Sequence, residues 1–570
     1  MRVKASVSKN STSLSIIRST FEDGLHSSKV VESLGNLEEI ASAHPGCDPW
    51  QWARERAGEL TRQEREDSRQ VLVAYSPGKL ITKGQKRLVE GGYLFLQRIY
   101  HDLGLGAICD AIVARHKFTY DLDGVLSRLV FGRILDPASK LSTFEYSKRL
   151  IEPPCADLQH VYRALDVIAK ESDFIQSELY KASKRFSKRS DGVLYYDCTN
   201  YYFEIECEDG IRQYGPSKEN RPNPIVEMGL FMDTDGVPLA FSIHPGNTNE
   251  QLTLKPLEER IIKDFEHSRF VVCTDAGLSS SANRRFNSIQ DRSFITTQSI
   301  KKLKKHLKAW ALDPSGWKAT KGGRTYDITE LDEDKHKDTV FYKERWINDG
   351  GLEQRLIVTF SLKYKNYQRT IRSRQIQRAQ KLIDSAPKSI GKPRQNDFKR
   401  LIATVATTTD GEIAEGRAYT IDGGKVTTEE AYDGFYGVCT NLTDSAHKIA
   451  EVNRKRWEIE ECFRIMKHEF KARPVYLRND ARIEAHFATC FIALIVYRTL
   501  ERKLEGKYTC AQIIDGLEAM KFLKARGEGY IPAYTRTAFT DDLHAAFGFR
   551  TDYQLVTNKQ MKKIIRSTKR

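Results

Sequence analysis

The 570-residue sequence has no closely spaced cysteines. Its ten cysteines are scattered between Cys47 and Cys510, none forms a C-x-x-C pair, and none has histidine partners at zinc-finger spacing. This distribution excludes a zinc finger and a disulfide framework. It predicts cysteines that are buried as small hydrophobic residues in a reducing compartment.

The sequence also has few of the hydrophobic segments that enter membranes. The first ten residues, MRVKASVSKN, contain no continuous apolar run of the signal-peptide type. The longest apolar run, FATCFIALIVY at 487–497, is too short to span a bilayer and predicts a buried helix. We therefore expect a cytoplasmic protein with no membrane partner.

The composition is that of a globular protein with an excess of positive charge. Hydrophobic residues make up 40% of the chain and charged residues 29%, and 91 Lys and Arg against 76 Asp and Glu give a net charge of +15. A chain of this length predicts two to four domains, since single cores stop growing well below it. The charge favours an anionic partner, of which nucleic acid is the commonest.

The pattern of the first 190 residues changes once. Residues 1–75, the N-terminal region, are polar and mixed, whereas residues 76–190 show helical periodicity and are assigned as a helical, DNA-binding domain. Within 122–150, two apolar-periodic segments meet at Asp136-Pro137-Ala138-Ser139, where the proline ends one helix and Ser139 caps the next. This pair fits either a helix-turn-helix or an ordinary helical hairpin.

Residues 191–299 predict the first part of an α/β catalytic core. Strand-like segments rich in β-branched and aromatic residues alternate with helical ones in the order β-β-β-α-β-α-β. This order matches a ribonuclease-H-like fold, a mixed β-sheet with helices, which needs one more helix to complete its site.

The rest of the chain interrupts and then completes that core. Residues 300–440 predict a β-rich insertion, with strands in RTYDITEL, TVFYKERWI, QRLIVTFSL, RLIATVATTT and RAYTIDG. Residues 441–505 form the second part of the core. Residues 506–570 form a mostly helical, basic C-terminal region, so the core is flanked on both sides by mostly helical regions.

The segment NRKRWEIEECFRIMKHEF, residues 453–470, predicts the missing helix. On an ideal α-helix one narrow stripe holds four polar residues: Asn453, Arg456, Glu460 and Lys467. Beside it lies an apolar side made of Ile459, Cys462, Phe463 and Met466. The remaining charges, Glu458, Glu461 and Arg464, are expected to face outward or to meet another surface.

Two aspartates give the stripe a chemical meaning. Asp197 and Asp275 each follow an apolar strand run, where an isolated carboxylate is costly unless it is paired or binds a metal. If the two strands are neighbours and the helix crosses their ends, three carboxylates converge. Oxygen ligands suit Mg²⁺ or Mn²⁺. The alternative is a plain surface ion pair between Arg456 and Glu460.

These residues resemble a known family, the DDE insertion-sequence transposases, in the branch with a β-rich insertion before the final Glu. The resemblance rests on YYDCTNYYFE, on VVCTDAGLSSSANRRF and on RKRWEIEECFRIMKHEF. In that branch the last motif has the pattern Y-x2-R-x3-E-x6-K, which Arg456, Glu460 and Lys467 fit, while Asn453 replaces the tyrosine. The similarity covers about residues 190–500.

The resemblance implies a function and a site. It implies the transposase of a bacterial insertion sequence, which binds the terminal inverted repeats of the element and performs DNA cleavage and strand transfer. Asp197, Asp275 and Glu460 would be catalytic and would bind two Mg²⁺ or Mn²⁺ ions, and Arg456 and Lys467 would contact DNA phosphates. The partners implied are double-stranded transposon-end and target DNA, and a second copy of the chain in a homodimer or higher oligomer.

Two other functions fit the same residues. One is a ribonuclease-H-like nuclease or resolvase that cuts DNA without joining it. The other is a transposase-derived DNA-binding protein that has lost catalysis, although all three acids are present.

Overall fold

The computed structural model describes residues 1–8, 11–22, 25–67, 71, 73, 76–186, 188–319, 324–385, 397–407, 416–525 and 527–570. It divides into two compact units. One comprises Met1–Gln85 with Ala525–Glu528, and the other comprises Lys86–Lys524 with Gly529–Arg570.

The first unit is a three-stranded antiparallel sheet with two helices. Its elements are β1 (Arg2–Val7), β2 (Thr12–Glu22), β3 (Leu25–Asn36), α1 (Leu37–Ala43) and α2 (Pro49–Asp67). Asn36 begins α1 as a capping box with Glu39. The buried core is small, with Leu14, Ile40 and Ala53 at its centre. That small core explains why the sequence pattern gave little periodicity here.

The second unit begins with a short strand and six helices. They are β4 (Leu88–Glu90), α3 (Tyr93–Asp102), α4 (Leu105–Val113), α5 (Leu122–Leu135), α6 (Lys140–Ser147), α7 (Leu158–Lys170) and α8 (Ser172–Phe186). The predicted helix pair is confirmed as α5 and α6. The Ser139 hydroxyl accepts a hydrogen bond from the Ser142 amide at 3.2 Å and so begins α6, as predicted.

The catalytic core follows with the predicted order of elements. These are β5 (Val193–Tyr202), β6 (Ile225–Asp233), β7 (Pro238–Pro245), α9 (Leu254–Asp264), β8 (Val271–Thr274), α10 (Ser281–Phe286) and β9 (Ser293–Gln298). In the sheet β6 and β7 lie antiparallel on one side of β5, and β8 and β9 lie parallel on its other side. The predicted ribonuclease-H-like arrangement is therefore confirmed.

Residues 300–440 contain the predicted strands and also several helices. The elements are α11 (Lys305–Leu312), β10 (Trp317–Ala319), β11 (Thr325–Tyr326), α12 (Glu333–His336), β12 (Val340–Asp349), β13 (Leu352–Ser361), α13 (Leu362–Ser385), β14 (Ile402–Thr407), β15 (Gly416–Ile421), α14 (Gly423–Glu430) and β16 (Phe435–Thr440). Of the predicted strand at 400–409, residues 408 and 409 lie outside the described residues.

Most of these strands extend the core sheet. β16 pairs antiparallel with β9, and the ten-stranded sheet has the order β11-β10-β12-β13-β16-β9-β8-β5-β6-β7. Only β14 and β15 form a separate hairpin among the described residues of this region. The strands of this region were predicted, but their continuity with the core sheet was not.

The last part of the chain closes the core. It comprises α15 (Ala446–Arg454), α16 (Trp457–Arg464), α17 (Asp480–Lys503), α18 (Cys510–Ala519), β17 (Lys521–Ala525), β18 (Gly529–Pro532), α19 (Ala538–Phe547), β19 (Val556–Thr557) and α20 (Asn558–Thr568). α17 packs against α5 and α7, so it joins the N-terminal helices to the core. It is long and apolar enough to cross a membrane, but 89% of its apolar window is buried inside the protein, as the sequence predicted.

The prediction of one continuous helix over 453–470 is wrong. α15 ends at Arg454, α16 begins at Trp457, and the last turn, Ile465–Glu469, is π-helical. Its wider turn is seen in the hydrogen bond from the Phe470 amide to the Ile465 carbonyl at 2.9 Å.

The cysteine prediction is correct in part. All ten cysteines are free thiols, and seven of them are buried. Cys47, Cys155 and Cys207 are exposed, because they lie in polar connecting segments rather than in the core elements.

Candidate active site

Parallel pairing brings Asp197 and Asp275 to one place in the sheet. β5 and β8 pair in parallel, and their last paired residues are Tyr195 and Cys273. Asp197 lies two residues beyond the first and Asp275 two residues beyond the second. Because side chains alternate along a strand, both aspartates extend the same register on the same face.

The sequence interpretation of Asp197 needs one correction. Asp197 does not end its strand, because β5 continues to Tyr202 and Asp197 itself pairs with Leu230 of β6. What ends near Asp197 is the neighbouring strand β8, so the carboxylate faces the gap that β8 leaves. Asp275 does follow the end of β8, as predicted, and its Oδ1 accepts hydrogen bonds from the amides of Gly277 and Leu278.

The Asp197 carboxyl lies in an environment that opposes its ionisation. Burial raises its pKa to about 6, the positive charge of Lys218 acts against that rise, and the charge of Asp275 adds to it. Its Oδ1 accepts a hydrogen bond from the Cys198 amide at 2.8 Å. The effect of Asp275 on this pKa agrees with the shared register of the two aspartates.

Arg456 interacts electrostatically with all three predicted acids. It lies in the turn between α15 and α16 and is partly buried. Burial by itself would lower the pKa of its guanidinium, yet four surrounding groups raise it: Asp197, Tyr436, Asp275 and Glu460. The charge of Arg456 is thus stabilised by all three acids, and one of them, Glu460, pairs with it directly.

Glu460 is the most exposed of the three acids. Its side chain is 62% exposed, and an oxygen lies 3.5 Å from Nη1 of Arg456. The apolar side of α16 packs as predicted, since Ile459, Cys462, Phe463 and Met466 are all buried. Glu460 thus lies at the edge of the site. It forms the ion pair with Arg456 that was the alternative prediction from the sequence.

Lys467 reaches the site from the π-helical turn. Its Nζ donates a hydrogen bond to the Thr199 hydroxyl at 2.6 Å, two residues after Asp197 on β5. The same Nζ lies 3.5 Å from Glu219. Burial, together with the charge of Lys218, lowers the pKa of Lys467 to about 8. A partly buried ammonium of this kind is suited to an anionic partner.

Asn453, which replaces the motif tyrosine, joins the site to β16. Its Nδ2 donates a hydrogen bond to the Tyr436 hydroxyl at 3.0 Å, and that hydroxyl also lies 2.7 Å from the Thr297 hydroxyl. Tyr436 also interacts with Arg456. A tyrosine hydroxyl is therefore present beside the arginine, contributed by a strand instead of by the helix.

The three remaining charges of α16 divide into two groups. Glu458 meets a second surface, where it pairs with the mostly buried Arg498 of α17 at 3.4 Å. Glu461 and Arg464 pair with each other at 2.7 Å in a more exposed position. Both arrangements agree with the prediction that these charges face outward or meet another surface.

The sequence analysis missed Lys218 and its two acidic neighbours. Lys218 donates a hydrogen bond to the Cys198 carbonyl at 2.5 Å and pairs with Glu250 at 2.9 Å. Burial and the charge of Glu250 raise the pKa of Glu227, on β6, to about 8. Lys218 lies in the loop between β5 and β6, outside the three motifs, so no sequence signal singled it out.

The donor chemistry of the site fits a hard divalent cation. Carboxylate oxygens are the donors that Mg²⁺ and Mn²⁺ prefer. The hydrogen bonds described for the two aspartates use only Oδ1. The raised pKa of Asp197 shows that its charge is not fully compensated. Within the described residues, however, no group of three or more His, Cys, Asp or Glu is close enough to hold a metal ion.

Comparison with known proteins places the chain in a family. No curated protein shows a significant match. A solved structure, the cryo-EM structure of the piggyBac transposase synaptic complex with hairpin DNA, is 10% identical. The similarity covers 76% of this chain and 80% of that chain, with a TM-score of 0.34, which is too low to support an inference.

The family match covers every predicted site residue except Asp197. The family model described as "Transposase DDE domain" matches residues 199–496, just over half of the chain. The matched range begins two residues after Asp197 and includes Asp275, Arg456, Glu460 and Lys467. The chain belongs to the DDE transposase family.

Proposed function

We propose that the protein is the transposase of a bacterial insertion sequence, which binds the terminal inverted repeats of its element, cleaves DNA there and transfers the strand to a target. The observation that carries this proposal is the juxtaposition of Asp197 and Asp275 around Arg456, with Glu460 on the adjoining helix, in a chain of the DDE transposase family. The reaction takes place in the cytoplasm.

Asp197, Asp275 and Glu460 are the proposed metal ligands. Two bound Mg²⁺ or Mn²⁺ ions would activate the attacking hydroxyl and stabilise the leaving oxygen of a phosphodiester. Binding requires that Glu460 leave its ion pair with Arg456, which is a low-cost change because the Glu460 side chain is mostly exposed.

Arg456 and Lys467 are the proposed DNA contacts. Arg456 compensates the carboxylates in the structure described here, so freeing it from Glu460 leaves a guanidinium for a DNA phosphate. Lys467 is held beside β5 by Thr199, and a nearby phosphate would favour its charged form. Both cations flank the aspartates, which is where a scissile phosphate must lie.

The assignment of DNA binding to residues 76–190 is also a proposal. These residues include α3 to α8, which share one hydrophobic core with α17 of the catalytic region. Binding of DNA there would therefore be transmitted rigidly to the catalytic core. Assembly of two chains on two transposon ends, as a homodimer or higher oligomer, is part of the same proposal.

The test is a reaction with the DNA that flanks the gene. The full-length protein is incubated with Mg²⁺ and a labelled fragment that carries the inverted repeats, together with a target plasmid, and cleavage and joining are scored separately. We expect both products. Cleavage without joining would indicate a nuclease or resolvase, and binding without cleavage would indicate a DNA-binding protein that has lost catalysis.

A further inference from the structure

A cationic cavity lies outside the active site. It has a volume of about 410 Å³ and is formed by the turn between α5 and α6, residues 471–477 and α17. Its lining includes five basic residues and no acidic residue: Arg133, Lys140, Lys471, Arg473 and His486. A partly open cavity lined by basic side chains favours an anionic ligand.

Lys140 has no compensating partner in the described residues. It is only 5% exposed, it forms no ion pair there, and its Nζ is buried without a hydrogen-bond acceptor. Burial, together with Arg133, lowers its pKa to about 7. A buried ammonium without a partner is costly and is retained in proteins where it is paired or serves a ligand.

The other basic residues of the cavity leave this charge uncompensated. Arg133 is also buried, and it donates hydrogen bonds to the carbonyls of Phe470 and Ala138 at 3.0 and 3.1 Å rather than to a carboxylate. Arg473 is paired with Glu219. Burial lowers the pKa of His486 well below its usual value, so this ring is neutral. Two buried basic side chains without a carboxylate partner, Lys140 and Arg133, therefore share one wall.

Two further features suit an anion with several oxygen atoms. The cavity lining includes Ser139 and Lys140 at the N-terminus of α6, an eight-residue helix whose dipole is positive at that end. Lys471, at the exposed side of the cavity, adds a solvated cation. Ammonium, guanidinium and helix-terminal amides together are the donors that bind phosphate in proteins.

An ionic contact links the cavity to the candidate active site. Glu219, which pairs with Arg473 in the cavity lining, also lies 3.5 Å from Nζ of Lys467 in the candidate active site. Glu219 therefore connects a cation of the candidate active site with a cation of the cavity lining. We propose that this cavity is a phosphate-binding pocket in which Lys140 and Arg133 hold a phosphate group of the bound DNA strand.

The test uses the full-length protein without divalent ions, so that no cleavage occurs. Two probes are used, namely a fluorescent DNA duplex and inorganic phosphate alone. The variant is Lys140→Met, which keeps the size and removes the charge. The matched control is Lys148→Met, because Lys148 directly follows the same helix but is exposed and already paired with Glu145.

We expect Lys140→Met to weaken duplex binding roughly ten- to a hundredfold, as for the loss of a charged hydrogen bond. The slope of log affinity on log salt should become about 0.9 less negative, which corresponds to the loss of one phosphate contact. The Tm of the free variant should rise, because an uncompensated buried charge is gone. Lys148→Met should change none of these.

The measurement with the DNA duplex rests on the proposed function, whereas the measurement with inorganic phosphate does not. If the duplex binds the variant normally but inorganic phosphate raises the Tm of the wild type and not of Lys140→Met, the pocket takes free phosphate. If Lys140→Met binds both probes like the wild type, the proposal is overturned even though DNA binding by the protein stands.

A second variant covers the case in which Lys140→Met does not fold. Lys471→Asn removes a charge at the exposed side of the cavity, and asparagine tolerates the positive φ of this position. Phosphate should then protect the variant against unfolding less than it protects the wild type. Equal protection would overturn the proposal.

Discussion

Replacing Asp197 by asparagine should make the protein more stable at neutral pH while it abolishes activity. Burial raises the pKa of this carboxyl from 3.8 to about 6, and the change removes the buried charge but keeps the size of the side chain. Since each pKa unit corresponds to about 1.4 kcal/mol, ionised Asp197 costs at most about 3 kcal/mol of the free energy of unfolding. For a chain of this length that is a rise in Tm of about 2–3 °C.

The stability that Asp197→Asn gains over the wild type should increase as the pH rises. Below pH 3.8 the carboxyl is protonated in both the folded and the unfolded state, so it has no effect on stability. Between pH 3.8 and about 6 the unfolded state ionises first, and the wild type loses stability as the pH rises. Asp197→Asn should therefore exceed the wild type in Tm at pH 7.5 and match it near pH 4.

The assay is thermal unfolding at several pH values, with and without Mg²⁺. Mg²⁺ should raise the Tm of the wild type and leave Asp197→Asn unchanged, because a bound cation compensates the same charge. Asp291→Asn, which changes an exposed aspartate, is the control and should behave like the wild type. A Tm for Asp197→Asn at or below that of the wild type at pH 7.5 without Mg²⁺ would refute the reasoning.

Three further outcomes are expected. Asp233→Asn should lower the free energy of unfolding by about 3–5 kcal/mol in urea titrations, because it leaves the fully buried Arg189 guanidinium without its carboxylate; a loss below about 1 kcal/mol would contradict this. Glu458→Gln should lower the free energy of unfolding by about 1–3 kcal/mol, because it weakens the mostly buried pair with Arg498. Glu461→Gln should lower it by about 0.5 kcal/mol or less. Equal losses would show that α16 is misplaced. DNA affinity, measured by fluorescence anisotropy, should fall steeply with salt, with a slope of about −0.9 per phosphate contacted, and a flat slope would exclude DNA as the partner of the +15 charge.

Much of the catalytic core could be predicted from the sequence because its strands are short apolar runs in a fixed order. β5, β8 and β9 appear as such runs, and Asp275 marks the point where β8 becomes a turn. The stripe on α16 follows from helical spacing, and Arg456 and Glu460 do pair at that spacing. Local periodicity was enough for these features.

Features that depend on distant partners could not be predicted. Nothing in the sequence of β16 shows that it pairs with β9 and so extends the core sheet. The breaks at Lys455 and in the π-helical turn have no proline or glycine to mark them. Lys218 reaches Asp197 from a loop, and loop conformation has no periodic signal. The cationic cavity likewise combines residues more than 300 positions apart.

The central claim is that Glu460, and neither of its neighbours on α16, is the third acid of a metal-dependent DNA-cleaving site. The most direct measurement compares Glu460→Gln with Glu461→Gln for Mg²⁺-dependent cleavage of a labelled end fragment, with duplex binding as the control for folding. We predict that Glu460→Gln binds DNA but does not cleave it, while Glu461→Gln cleaves at nearly the wild-type rate. Cleavage by Glu460→Gln at the wild-type rate, or its loss in Glu461→Gln, would contradict the assignment.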